Sequence, residues 1–192
     1  MEAAGYTTLT RQNGLLREMQ IVANNIANAS TTGFKRQGLI FSEHIVRTEA
    51  GPSLSMASGN VRQTSLAQGA LTRTGGPLDF AIEGEGFFQV ETPNGDRLTR
   101  AGNFATNPQG ELVTHDGHRV LDAGGAPVFI PPDAGELGVA ADGTLSSEGR
   151  LLAQLGVMRP ADGATLTRES GVLFRTDGAL DPAPEARIVQ GH

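Results

Sequence analysis

Residues 23–36 read Ala-Asn-Asn-Ile-Ala-Asn-Ala-Ser-Thr-Thr-Gly-Phe-Lys-Arg, and this stretch decides how the N-terminal part of the chain is organised. It closes an amphipathic segment that begins near Leu9 and breaks at Ser30-Thr31-Thr32-Gly33. Asparagine is a poor helix former because its short amide competes for backbone hydrogen bonds. Helix-end chemistry accounts for Asn28 and Gly33. The pattern predicts a helix that ends here and continues into a non-helical strip.

Asn24 and Asn25 precede the break, so helix-end chemistry does not explain them. Amides at such positions are most useful where another chain binds them. We expect Asn24, Asn25 and Asn28 to set the register of an assembly through amide hydrogen bonds, as buried polar residues can. Gly33 would permit a sharp exit from the helix, and Phe34 would anchor that exit.

The segment upstream carries a broad apolar face in heptad register. Ile21 falls at position f, on the far side of the helix. Beside so broad a face, Ile21 hints at contact on more than one side, as in a packed ring of helices. An ordinary helix docked on its own domain remains the alternative. The face comprises Leu9, Leu16 and Ala23 at a, Gln12, Met19 and Ile26 at d, and Leu15 and Val22 at g.

This helix needs a partner. Burying about six apolar side chains stabilises by roughly 9 to 18 kcal/mol, whereas ordering about twenty-five residues costs roughly 25 to 50 kcal/mol in backbone entropy. Isolated helices are therefore marginal in water. No second heptad-like segment of comparable length lies between Phe34 and His192. We expect the partner to be another chain, or a part of the protein outside this sequence.

Composition limits the class of protein. The 192 residues include 26 glycines, 10 prolines and no cysteine, which indicates many turns and excludes disulfides and thiolate metal sites. A net charge of −6 disfavours nucleic acid as a partner, because phosphate binding needs basic patches. Neither a cleavable signal peptide nor a membrane-spanning apolar run is expected.

The fold class predicted is α+β and predominantly β: an N-terminal amphipathic helix, an extended connector, and an all-β domain of short strands and hairpins. The boundaries are 1–34 for the helical assembly segment, 35–74 for the connector and 75–192 for the β domain, with Val61 to Leu71 as a strand-like arm in the connector. Turn chemistry recurs in the β domain. Its signals are Pro93-Asn94-Gly95-Asp96, Asn107-Pro108-Gln109-Gly110, Asp142-Gly143 and Asp177-Gly178.

Catalytic patterns are weak. His115-Asp116-Gly117-His118 resembles a two-histidine metal site, but no third ligand has suitable spacing, and a hairpin turn explains it better. Asp79, Glu83 and Glu85 lie around a glycine-rich turn, where solvated acids are expected rather than a catalytic pair. Without cysteine or a Gly-x-Ser-x-Gly elbow there is no nucleophile motif. We expect no catalytic residue, no metal and no cofactor.

Three motifs give a more specific indication. The sequence resembles the bacterial flagellar rod and hook protein family, and within it the opening residues 5–9 and the short connector are most similar to proximal rod proteins, with distal rod proteins next. The matching motifs span most of the chain in the family's order. They are 23–36, Thr74 to Ile82 with Gly84 to Val90, and Leu98 to Phe104 continuing to Gly110-Glu111-Leu112-Val113.

The resemblance implies a non-enzymatic subunit of the periplasmic rod, exported through the flagellar type III apparatus without a cleavable signal peptide. Its partners would be other rod subunits and the export apparatus, with no nucleic acid or small-molecule substrate. The family pairs its N-terminal helix with a C-terminal helix, which this sequence would lack after His192. A carbohydrate-binding or hydrolytic β domain with an oligomerising helix is the alternative from another class, although one Tyr and no Trp disfavour it. A secreted adhesin is a third possibility.

Overall fold

The structure is a computed structural model that describes residues 2–46 and 54–192, with side chains at 9, 12–39 and 63–192. The described chain forms two compact units, Met1–Thr31 with Lys35–Ala67, and Thr32–Phe34 with Gln68–His192. The predicted loop Gly51-Pro52-Ser53 lies outside the described residues.

The first unit contains one long helix and a two-stranded antiparallel ribbon. The helix α1 spans Glu2–Ala27, and the ribbon pairs β1, Gln37–Val46, with β2, Leu54–Thr64. The register runs from Gln37 opposite Thr64 to Val46 opposite Leu54, with an irregularity at Ile40/Phe41. Helix α1 packs against both strands.

The segment 35–74, predicted as an extended connector, therefore contains paired strands. The predicted arm, Val61 to Leu71, overlaps β2 only as far as Thr64, and residues 65–76 have no regular secondary structure. Side-chain pattern gave little sign of these strands, because a two-stranded ribbon satisfies its backbone by cross-strand hydrogen bonds whatever side chains it carries.

The second unit is built from short antiparallel strands. The strands are β3 Phe80–Glu83, β4 Phe87–Thr92, β5 Gly95–Thr99, β6 Ala105–Thr106, β7 Leu112–Val113, β8 Arg119–Val120, β9 Leu137–Val139, β10 Thr144–Ser147, β11 Arg150–Gln154, β12 Val157–Pro160, β13 Leu166–Arg168, β14 Leu173–Thr176, β15 Leu180–Pro182 and β16 Arg187–Gln190. The largest sheet has the order β13-β14-β5-β4-β8-β7-β6, and β12 pairs with both β4 and β15.

The turn signals mark real strand junctions. Pro93-Asn94 connects β4 to β5, β10 begins directly after Asp142-Gly143, and β15 begins at Leu180, two residues after Asp177-Gly178. Gly95, Gly110 and Gly143 have the positive φ that such turns favour, whereas Gly178 does not. The predicted fold class, predominantly β with an N-terminal helix, is confirmed.

Two apolar clusters form the core of the second unit. The larger includes Phe80, Phe88, Val90, Leu112 and Leu145, all at most 1% exposed. The smaller contains Phe87, Leu98 and Phe174. The first and last strands of this unit lie side by side, because β16 pairs with β3 and the Gly191 carbonyl accepts hydrogen bonds from the N–H groups of Thr74 and Gly75.

Candidate assembly site

Helix α1 has two opposite faces with different surroundings. Gly14 and Ile21 are buried, and Asn25 and Asn28 on the same side are half-buried. At about 100° per residue, this face is centred roughly 200° from the centre of the heptad stripe. Since α1 packs on β1 and β2, we call the side with Gly14 and Ile21 the docked face.

The heptad stripe is open. Its six large apolar side chains are 49% to 70% exposed, which is unusual for so many on one helix. We call this surface the open stripe. Gln12 and Ala23 are exposed within it, and Asn24 is exposed on the flank between it and the docked face. The six are Leu9, Leu15, Leu16, Met19, Val22 and Ile26.

Ile21 corrects one expectation. The heptad pattern placed it on an exposed far side, with a ring of helices as its second contact, whereas Ile21 is only 6% exposed in the unit formed by α1, β1 and β2. The heptad pattern predicts that the broadest apolar face of the helix is buried. Packing against a two-stranded ribbon, however, buries only a narrow row of helix residues, and Ile21 lies in that row. Gly14, seven residues before Ile21, carries no side chain that would keep a neighbouring backbone away.

Asn25 makes a two-bond contact inside the first unit. Its Nδ2 donates to the carbonyl of Gln37 at 2.8 Å, and its Oδ1 accepts from the Gln37 N–H at 3.0 Å. The side-chain amide thus takes the place of a strand neighbour at the first residue of β1. Sequence reasoning expected the Asn25 amide to be bound by another chain. The structure binds it within the same chain.

The other two asparagines lie at the end of the helix. The Nδ2 of Asn28 donates to the carbonyl of Asn24 at 2.9 Å, and its N–H donates to the same carbonyl at 3.1 Å. Thr31 Oγ1 lies 3.4 Å from Asn28 Oδ1. Asn28 therefore caps the C-terminus of α1, whereas the side chain of Asn24 is exposed.

Lys35 and Arg36, which precede β1, form hydrogen bonds with the residues that directly follow β2. The Nζ of Lys35, the only lysine in the sequence, donates to the Ala67 carbonyl at 2.8 Å and is 8% exposed. The Ser65 N–H donates to the Arg36 carbonyl at 2.9 Å. Sequence reasoning missed the buried lysine. Its position two residues after the Gly33 break was the only available signal.

Gly33 and Phe34 belong to the second unit, and with Thr32 they form what we call the strap. Gly33 has φ +73°, and a Cβ there would overlap the backbone of Arg100 and Ala101. The guanidinium of Arg168 lies 4.4 Å from the centre of the Phe34 ring. The predicted anchor at Phe34 is thus a stack on β13, and sequence reasoning did not identify Arg168.

The stack continues into the smaller core cluster. The Arg168 guanidinium is 5.2 Å from the ring of Phe174, and that ring is 5.5 Å from Phe87. Arg100 lies 5.3 Å from the Phe87 ring and donates to the carbonyl of Gly84 at 2.7 Å. Burial lowers the pKa of both arginines. A guanidinium nevertheless stays charged at neutral pH, so both contacts are cation–π contacts.

Ion pairs lie elsewhere on this unit. Arg97 donates from Nε to Glu169, with a second contact from Nη2 at 3.2 Å, and these hydrogen bonds hold the pKa of Glu169 below its usual value. Arg119 lies 2.7 Å from Glu91 and 3.4 Å from Glu111. Hydrogen bonding from Asn107, and then from Arg119, lowers the pKa of Glu111.

Catalytic and metal sites are not evident among the described residues. In the ranges that the structure describes, no group of three or more His, Asp or Glu side chains could hold a metal ion. Residues 114–118 form the turn between β7 and β8, in which His115 is exposed. Within the same ranges, no helix has the length and apolarity needed to cross a membrane.

Comparison with known proteins matches both units. The profile described as flagella basal body rod protein matches residues 6–35, and that described as flagellar hook protein FlgE/F/G D1 domain matches residues 81–147. The flagellar basal-body rod protein FlgF of Caulobacter vibrioides is 43% identical over 202 aligned positions, which cover 100% of this chain and 80% of the relative.

Two further relatives delimit the resemblance. FlgF of Mesorhizobium japonicum is 38% identical, again over 100% of this chain and 80% of its own length. The rod protein FlgG of Bacillus subtilis is 32% identical over 88% of this chain and 72% of its own length. The chain belongs to the flagellar basal-body rod protein family.

Proposed function

We propose that this chain is a FlgF-like structural subunit of the flagellar basal-body rod and that it assembles through the open stripe of α1. The two FlgF relatives are 43% and 38% identical to this chain, whereas the FlgG relative is 32% identical. This difference favours a proximal position in the rod, with a FlgG-like distal position as the alternative.

The open stripe carries the proposal. Six large apolar side chains of one helix face away from the ribbon on which that helix docks. From Leu9 to Ile26 they extend over roughly 26 Å at about 1.5 Å per residue. Burying them at about 1.5 to 3 kcal/mol each would supply a large driving force for association. Helices of neighbouring rod subunits are occupants of suitable shape and chemistry.

The rest of the interface follows from the same face. Ala23 lies on the stripe. Asn24 is exposed on the flank between the stripe and the docked face, and there it would set register at the edge of the contact between subunits. Asn25, Asn28, Gly33 and Phe34 would contribute indirectly, by fixing where the helix ends. The role is structural and non-enzymatic, in the periplasmic rod, after passage through the flagellar export apparatus.

Met19→Glu tests the stripe, because Met19 is 67% exposed and lies near its centre. The substitution should leave the fold intact, since no buried contact is lost, while placing a charge in the subunit interface, where burial of an unpaired carboxylate is unfavourable. The gene should be replaced in the bacterium that encodes it. Motility and the amount of this protein in purified basal bodies are then measured.

Asn13→Glu is the matched control, because it adds the same charge at an exposed position of α1 between the stripe and the docked face. We expect Met19→Glu to abolish incorporation and motility, and Asn13→Glu to preserve both. Full incorporation of the Met19→Glu protein would refute assembly through the open stripe. Circular dichroism and thermal unfolding of both purified variants exclude misfolding as the cause.

A further inference from the structure

The strap Thr32–Phe34 is separated in sequence from the rest of the second unit. Residues 35–67 intervene and belong to the first unit. Three residues from the N-terminal segment therefore complete the packing of a β domain that otherwise begins at Gln68. A short segment of this kind can open locally without unfolding of the rest of the domain.

Two contacts of the strap differ in kind. Gly33 lies so close to the backbone of Arg100 and Ala101 that only a residue without Cβ fits, and its φ of +73° also favours glycine. Phe34 stacks on the guanidinium of Arg168, which in turn covers Phe174 of the smaller core cluster. The first contact is a steric fit and the second an electrostatic one, so each can be removed separately.

We infer that the strap is a latch held on the second unit by Arg168, which is the positioning residue for Phe34. Arg168 contacts the strap on one side and the core cluster on the other. In the closed latch Phe34 is used within its own subunit and is not part of the assembly surface. The inference goes beyond the proposed function, because it concerns a contact inside one chain.

The sequence offers a clean optical probe, because it contains no tryptophan. Phe34→Trp introduces a single indole at the strap, and an indole stacks on a cation better than a phenyl ring does. Quenching of its fluorescence by acrylamide then measures how often the strap is open. The measurement uses the full chain as a dilute monomer, so it does not depend on rod assembly.

Arg168→Gln, added to the Phe34→Trp protein, removes the cation. A cation–π contact of ordinary strength corresponds to about a 2- to 30-fold change in the ratio of closed to open strap. We therefore expect quenching to rise clearly, with Arg168→Lys restoring part of the protection. Arg159→Gln is the matched control, since Arg159 is an exposed arginine on β12, and it should leave quenching unchanged.

Gly33→Ala tests the steric contact in the same background. Gly149→Ala is its control, because Gly149 has φ +79° but no atom within 4 Å of an added Cβ. The backbone strain is thus similar in both, and only the overlap differs. Gly33→Ala should open the strap, while Gly149→Ala should not.

Equal quenching in the proteins with and without Arg168→Gln would overturn the inference. A second measurement covers the case in which Phe34→Trp itself disturbs docking. Phe34→Leu and Arg168→Gln are made singly and together, and urea unfolding is followed for each protein. A closed latch predicts that the double variant loses less stability than the two single losses added together. Strictly additive losses would overturn the latch as well.

Discussion

Ile21→Ala is the substitution that most directly tests which face of α1 is docked. The heptad pattern places Ile21 away from the apolar stripe, whereas the structure buries all but 6% of it. Leu16 has the opposite properties, because it occupies a heptad a position and is 56% exposed. From the sequence pattern alone, Leu16→Ala would be expected to destabilise the folded subunit more than Ile21→Ala does. The structure predicts the opposite order.

The structure sets the magnitude. Ile21→Ala removes three carbon groups from a buried site at about 0.8 kcal/mol each, or about 2.4 kcal/mol. A residual cavity raises this toward the upper part of the usual range of about 2 to 5 kcal/mol, and the better helix propensity of alanine returns a few tenths. We expect the free energy of unfolding of the first unit to fall by about 2 to 4 kcal/mol. Leu16→Ala should change it by about 1 kcal/mol or less.

Urea unfolding followed by helical ellipticity is a suitable assay, since strands contribute little to that signal. The midpoint for Ile21→Ala should move to clearly lower urea, while that of Leu16→Ala stays close to the parent protein. Equal shifts, or a larger shift for Leu16→Ala, would refute docking through Ile21. Incorporation into basal bodies supplies the complementary readout, because there Leu16→Ala should be the more damaging change.

Two further predictions concern the second unit. Gly102→Ala should lower its stability by about 3 kcal/mol or more, because an added Cβ would overlap a carbonyl of β3; Gly69→Ala, with nothing within 4 Å, should stay within about 0.5 kcal/mol in the same urea titration. Hydrogen bonds from Arg97 lower the pKa of Glu169 in the folded protein. The stability that these hydrogen bonds contribute is therefore fully present above the pKa of an unfolded glutamate, about 4.3, and is lost as the pH falls through the lower pKa of folded Glu169. Unfolding measured between pH 7 and pH 3 should show a smaller acid loss for Glu169→Gln than for Glu136→Gln, and equal losses would contradict this assignment.

The β domain could be predicted from sequence because its turns have a local cause. Asn94-Gly95 and Asp142-Gly143 provide the positive φ that a tight reversal needs, and a strand begins at or directly after each glycine. Local chemistry of this kind requires no knowledge of the partner strand. The order of the strands in the sheets does require it, and no signal in one sequence specifies that β14 pairs with β5 rather than with β4.

The strap shows where local reasoning stops. The Gly33-Phe34 pair indicates an exit and an anchor, but Arg168 lies 134 positions further along the chain. Among the fourteen arginines of the sequence, nothing local distinguishes this one. Its role depends on β13 and β14 pairing so that Arg168 faces Phe174, which is a tertiary property.

The two faces of α1 explain how one helix could serve both the subunit and the rod. Had the open stripe been the docked face, assembly would first have to break the contact with β1 and β2, and its driving force would be reduced by that amount. Docking through Gly14 and Ile21 leaves the large apolar side chains exposed. Docking and assembly then do not compete. Substitutions on the two faces should then act independently on the free energy of unfolding. Met19→Glu removes no buried contact, so the double variant with Ile21→Ala should lose as much unfolding free energy as Ile21→Ala alone, and a clearly different loss would contradict separate faces.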